Sequence, residues 1–115
     1  MSLIYIYYLC KKNNITDDKF INISLLGNVM KKDLDKYYEC IYSYSFSKLE
    51  NEIDIHAELE YLFKLLNSKD NPLYSIKYQR KIKAMQTHTC MSVGDVIKID
   101  NIYYIVNGDG FDQLI

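Results

Sequence analysis

The sequence predicts an α+β fold, one main helix packed on an antiparallel sheet with a C-terminal β-meander. Three stretches carry that expectation. Residues 96–99, 103–106 and those after Gly110 are short strand-like runs. They are separated by Asp100-Asn101 and by Gly108-Asp109-Gly110, both hairpin-type turns. Leu59, Leu62, Phe63 and Leu66 recur at i, i+3, i+4 and i+7, the apolar stripe of an amphipathic helix. Residues 3–9 are β-branched and aromatic on both alternating sides, as a strand inside a sheet must be. The chain of 115 residues is expected to be a single domain, 1–115, with a core that requires no metal or disulfide.

The remaining elements follow in order. The first strand ends at Lys11-Lys12-Asn13-Asn14. Thr16-Asp17-Asp18 caps a short helical turn, and residues 20–26 read as a weaker strand closed by Gly27-Asn28. Residues 37–46 alternate. Tyr38, Cys40, Tyr42, Tyr44 and Phe46 share one face, while Glu39, Ser43 and Ser45 share the other. Ser47 to Glu50 has capping-box spacing, and Asp54 is a second N-cap candidate for the helix. Its stripe extends backward through Ile55, or through Ile53 and Leu49, and it stops at residues 67–72. Residues 72–89 are polar and basic without a sustained period. They predict a long loop with a short strand near residues 73–78.

Composition excludes some function classes. The net charge of −1 gives no global pull toward nucleic acid or a membrane. No apolar run is long enough to span a bilayer, and no leading signal region is visible. Three dispersed cysteines without CxxC spacing point to a reduced, cytoplasmic protein. Abundant Ile, Lys, Asn and Tyr, with Arg80 the sole arginine, suggest an AT-rich bacterial genome or a phage or plasmid within one.

No residue set assembles an active site, so a non-enzymatic protein without metal or cofactor is expected. His88, Cys90, His56 and the other cysteines supply one close ligand pair, where structural zinc uses two. Cys10 and Cys40 lack a flanking oxyanion turn, Ser92 is not bracketed by glycines, and Gly108-Asp109-Gly110 leads into no helix. Twelve tyrosines are more suggestive: Tyr37, Tyr44, Tyr61, Tyr74 and Tyr78 are interface candidates, against a plain role as β-formers. Charge is also segregated. Glu50, Glu52, Asp54, Glu58 and Glu60 form an acidic run on the solvent side of the helix. Lys77, Arg80, Lys81 and Lys83 form a basic loop with no acid between residues 72 and 94.

One resemblance emerges over residues 37–115. Leu49-Glu50 early in the helix, Phe63 and Asn67 at its end, a basic loop, Met91-Ser92-Val93-Gly94-Asp95-Val96-Ile97, a Tyr-Tyr strand and Gly110-Phe111 follow one another. That order resembles the YodL-like small domains of phages, plasmids and conjugative elements of Firmicutes. Cys90-Met91 and Gly108-Asp109 depart from the residues usual there, and a proline-containing approach to the block is missing. The resemblance implies a mobile-element protein that acts against host defence. The expected function is inhibition of a host protein or nucleoprotein defence complex, as an anti-CRISPR protein does. The alternative is a weak nucleic-acid-binding accessory using the 77–83 loop. Tyr78, Arg80, Lys81 and Lys83 are the expected partner-binding residues, Tyr78 as anchor and the bases as steering charges. The acidic helix face is the rival interface. Neither a membrane partner nor a fixed oligomeric state is implied.

Overall fold

A computed structural model describes residues 1–11 and 13–114. Lys12, at the expected end of the first strand, and Ile115, at the end of the meander, lie outside the described residues. Strand β1 (Ser2–Leu9) is followed by helices α1 (Asp17–Leu26) and α2 (Lys31–Tyr37), then strand β2 (Tyr38–Phe46). Helix α3 (Glu52–Leu65), a 3-10 turn (Pro72–Tyr74) and helix α4 (Ile76–Met85) lead into β3 (Val96–Ile99), β4 (Ile102–Asn107) and β5 (Gly110–Leu114). The five strands form one antiparallel sheet in the order β2-β1-β3-β4-β5, so β1 is interior and the last three strands are the expected meander.

The α+β class holds, but the single main helix does not. Helices cover both faces of the sheet. On one face Ile4, Ile6, Tyr8, Ile41, Ile97, Ile99 and Val106 pack with Leu59, Leu62 and Leu66 of α3 and Ile82 of α4. On the other, Leu9, Tyr38, Val96 and Ile105 pack with Ile23 of α1 and Leu34 of α2. Each buried Ile or Leu removes enough apolar surface from water to contribute roughly 1.5–3 kcal/mol.

Residues 20–26 are helical rather than extended. Ile21 and Ile23 are poor helix formers, but the ends decide the matter. The Thr16 side chain accepts from Lys19 N, Asp17 and Asp18 occupy the first turn, and Gly27 closes the helix in the left-handed conformation. In α2, Asp33 accepts from Met30 N at 3.0 Å and pairs with Lys19 Nζ at 3.1 Å, joining the two helices.

Strand β2 departs from simple alternation. Ile6 pairs with Tyr42 and Tyr7 with Cys40, leaving Ile41 as the extra residue of a bulge. Tyr38 therefore faces the α1–α2 side, whereas Ile41, Tyr42 and Tyr44 face the α3–α4 side.

Helix α3 starts one residue after Asn51, whose side chain accepts from Asp54 N, so neither Ser47 nor Asp54 is the cap. Leu59, Leu62 and Leu66 are fully buried, but Phe63 sits at the rim, edge-on to Phe111. Of the proposed backward extensions, Ile55 and Leu49 pack against the core and Ile53 is exposed. Among the described residues no helix is long and apolar enough to cross a membrane.

Candidate partner-binding surface

The segment expected to be a loop is the 3-10 turn and α4. Asn71 opens it. Its Oδ1 accepts from Leu73 N at 2.9 Å, and its Nδ2 donates to Leu66 O at 2.8 Å and Thr89 O at 3.1 Å. Gln79 Nε2 donates to Leu73 O and to Thr89 Oγ1, so the turn, the helix and the following segment are bound together. Tyr78, Ile82 and Met85, at i, i+4 and i+7, turn inward on the α3–α4 side of the sheet. Gln86 ends the helix in the left-handed conformation.

That packing leaves a basic outer face. Lys77, Arg80, Lys81 and Lys83 are all exposed, and among the described residues none of them makes an ion pair. Within this set the roles differ. Lys81 Nζ donates to Cys40 O at 2.9 Å, closing one carbonyl of the edge strand β2. Tyr78 is half-buried, edge-on to Tyr42 with Lys77 Nζ 5.3 Å from its own ring centroid, so it braces the helix and is no free anchor. Arg80 and Lys83 are the bases left without a structural task among the described residues. The Cys40 thiol is pushed up by burial, against the pull of Lys81.

The rival acidic face is smaller than the sequence implies. Glu58 turns inward, is buried, and accepts a hydrogen bond from Tyr44 OH. Burial and that hydrogen bond push the Tyr44 phenol up. Glu50, Glu52, Asp54 and Glu60 stay exposed. Tyr61 and Tyr74 are more than half exposed, whereas Tyr37 is half-buried beside the α1–α2 cluster.

The His88 region is a structural knot. Asp95 is fully buried. Its Oδ2 receives His88 Nε2 at 2.6 Å and Ser92 N at 2.8 Å, and its Oδ1 accepts from Leu9 N at 3.1 Å. Burial pushes the Asp95 carboxyl up, opposed by His88 and the two amides. The His88 ring stacks on Tyr8 at 4.6 Å, and Thr87 Oγ1 donates to Leu9 O at 2.7 Å. The nearest hydroxyl to His88 Nδ1 is thus already committed to the backbone. Among the described residues no three His, Cys, Asp or Glu side chains converge to hold a metal ion.

The sequence reading passed over a second aromatic group. Tyr5, Tyr7 and Tyr103, with Lys98 among them, lie on the α1–α2 side of the sheet, Tyr7 and Tyr103 packed against the margin of the cluster those helices cover and Tyr5 outside it. Alternation along residues 3–9 and 96–106 was the signal that would have placed them on one face.

No protein-family model matches the chain, and no solved structure matches it. The "uncharacterized protein R785" of Acanthamoeba polyphaga mimivirus is 39% identical to it over 114 residues, covering 99% of this chain and 94% of the relative. Identity of that extent spans both helical layers and every strand, and the chain belongs to the family of mimivirus protein R785.

Proposed function

We propose that the protein is a non-enzymatic binding protein that docks on an acidic surface of a host macromolecule through the basic face of α4, inhibiting a host defence complex. The observation that carries this reading is the placement of Arg80 and Lys83 on an exposed helix face with Lys77 and Lys81, without a carboxylate partner among the described residues. A rigid helix holds these charges in fixed register, which suits steering toward a complementary patch better than a mobile loop does. A viral relative fits a protein that works on a host. The anti-CRISPR form of the proposal needs a bacterial host, and the relative's virus is named for an amoeba, so the partner is sought in both kinds of extract.

The test is quantitative affinity capture by three proteins: the unaltered chain, Arg80→Glu with Lys83→Glu, and Glu52→Lys with Glu60→Lys. Lys81 is left in place because it caps Cys40 O. Loss of one partner, at least tenfold, from the α4 double variant alone supports the reading, a change of roughly 1.4 kcal/mol. Loss only from the acidic-face variant moves the interface to α3. A partner whose capture disappears with nuclease treatment favours the nucleic-acid accessory role of the same helix.

A further inference from the structure

We propose that the open half of the sheet, on the side away from α4, binds single-stranded nucleic acid by stacking its bases on Tyr5 and Tyr103 while Lys98 takes a phosphate. Strand register places the residues. Leu3, Tyr5 and Tyr7 follow one another on one side of β1; Ser45 and Ser43 of β2 stand opposite Leu3 and Tyr5; Lys98 of β3 stands opposite Tyr5 on the other flank. Tyr103 of β4 is opposite Lys98. These residues sit on the face whose far end, at Leu9, Tyr38, Val96 and Ile105, is covered by α1 and α2. The near end, at Leu3 and Tyr5, lies outside that cluster: Leu3 is 50% exposed, Ser43 and Ser45 are exposed, and Tyr5 is partly so, while Tyr7 and Tyr103 pack against the cluster's margin and stay partly exposed.

The rings and charges alternate. Tyr5 and Tyr7 centroids are 6.5 Å apart, and Tyr7 and Tyr103 are 6.3 Å apart. Lys98 Nζ lies 5.4 Å from both the Tyr5 and the Tyr103 centroids, and Lys31 Nζ of α2 lies 5.9 Å from that of Tyr103. Neither lysine has a carboxylate partner among the described residues. Of the carboxylates nearby, Asp100 pairs with Lys48 at 3.3 Å and Asp112 accepts from Asn107 Nδ2, while exposed Asp35 of α2 acts on Tyr7 from the covered end. An apolar partner would strand these ammonium groups in a dry interface. A single strand meets both demands at once, because each base has a stacking face and each linkage carries a negative charge. A duplex hides its bases and offers only the charges. Nothing on this face reads a sugar hydroxyl specifically, so RNA and DNA single strands are expected to bind alike.

The experiment is fluorescence anisotropy with labelled oligo(U), oligo(dT) and a duplex of the same length, about ten nucleotides, within the usual site size for stacking surfaces. Both single strands bind, and the duplex binds at least tenfold more weakly. Tyr5→Ala weakens single-strand binding about tenfold, in line with one lost base stack, and Tyr5→Phe does not, since stacking needs the ring and not the hydroxyl. Lys98→Ala flattens the slope of log K against log salt by about 0.7, the loss of one phosphate contact. Circular dichroism melting of each variant keeps loss of fold separate from loss of binding. The proposal is overturned if single strands do not bind, or if single strand and duplex bind equally. It is also overturned if affinity survives Tyr5→Ala and falls with Arg80→Glu and Lys83→Glu, which would place the nucleic acid on α4. Sedimentation showing a dimer that Tyr5→Ala dissociates would overturn it too, by giving the face to a second copy of the chain.

Discussion

The two faces of the sheet are built from the same strands yet differ in what they leave open. On the α3–α4 side, Ile4, Ile6 and Tyr8 of β1 are entirely buried beneath Leu59, Leu62, Leu66 and Ile82. On the α1–α2 side, the alternate residues of that strand run from fully covered Leu9 through half-covered Tyr7 and Tyr5 to half-exposed Leu3. Coverage that stops midway costs apolar burial. Evenly spaced tyrosines instead of aliphatic side chains keep that cost low, since a phenol tolerates one wet end. Stability is therefore concentrated on one face, and the other is partly available for recognition.

The largest expected effect lies on the covered face. Leu62→Ala removes a fully buried side chain from the last turn of α3 and should cost about 2–5 kcal/mol, measured by urea unfolding. Its neighbour Phe63, which the apolar stripe counted as core, is 36% exposed, and Phe63→Ala should cost clearly less than Leu62→Ala. Equal costs would mean that α3 is rotated about its axis from the position described.

Next comes an alkaline limit to which Tyr8 and Tyr38, one tyrosine from each side of the sheet, contribute alongside Tyr44. Burial, with help from Asp95, pushes both phenols well above their usual value of 10.0. Their hydroxyls donate to Thr89 O and Gly94 O. As pH rises past 10 the unfolded chain gives up these protons and the folded chain keeps them, so stability falls with pH. The slope is at most about 1.4 kcal/mol per pH unit for each phenol, or roughly 2.7 for the two. Urea midpoints between pH 9 and 11 that do not change would show both hydroxyls to be open to solvent.

How much of this comparison could be read from the chain depends on where local and tertiary signals agree. Strand β1, the stripe of α3 and the meander were legible because period, turn residues and burial coincide there. Helix α1 was misread because Ile21 and Ile23 look like strand residues, while the capping at Thr16 and Gly27 decides. Helix α4 was missed although Tyr78, Ile82 and Met85 have helical spacing, because bases and Gln79 fill the positions between. The basic cluster was legible as composition. That Tyr78 is a brace and Lys81 a cap on Cys40 O was not, since both depend on where β2 lies. The bulge at Ile41, which sends Tyr38 and Tyr42 to opposite faces, has no local signature in residues 37–46.

The covered end of the α1–α2 face makes a further prediction. Gly94 has φ of 94°, and a Cβ there would stand 2.7 Å from Ile23 O and 2.8 Å from Ile23 Cγ2. Backbone contact this close is what seats α1 on the sheet. Gly94→Ala must both strain φ and push α1 away, at about 1–3 kcal/mol. Hydrogen exchange should show the loss chiefly in α1 amides, with those of α3 little changed. Uniform loss across the chain would mean that the two helical layers unfold as one unit.

The smallest effect belongs to the open end of that face. Tyr5→Thr exchanges one good strand former for another, so the ladder with Ser43 and Lys98 persists. What disappears is the ring's partial contact with Tyr7 and its cation–π contact with Lys98, each on the order of 0.5–1 kcal/mol at an exposed site. Tyr5→Thr should therefore lower stability by about 1–2 kcal/mol in urea unfolding. Ile4→Thr, one residue away but under α3 and α4, should cost several times as much because it buries a hydroxyl in a fully apolar site. If Tyr5→Thr proved as damaging as Ile4→Thr, Tyr5 would be core, the face would be closed, and the asymmetry between the two sides of the sheet would vanish.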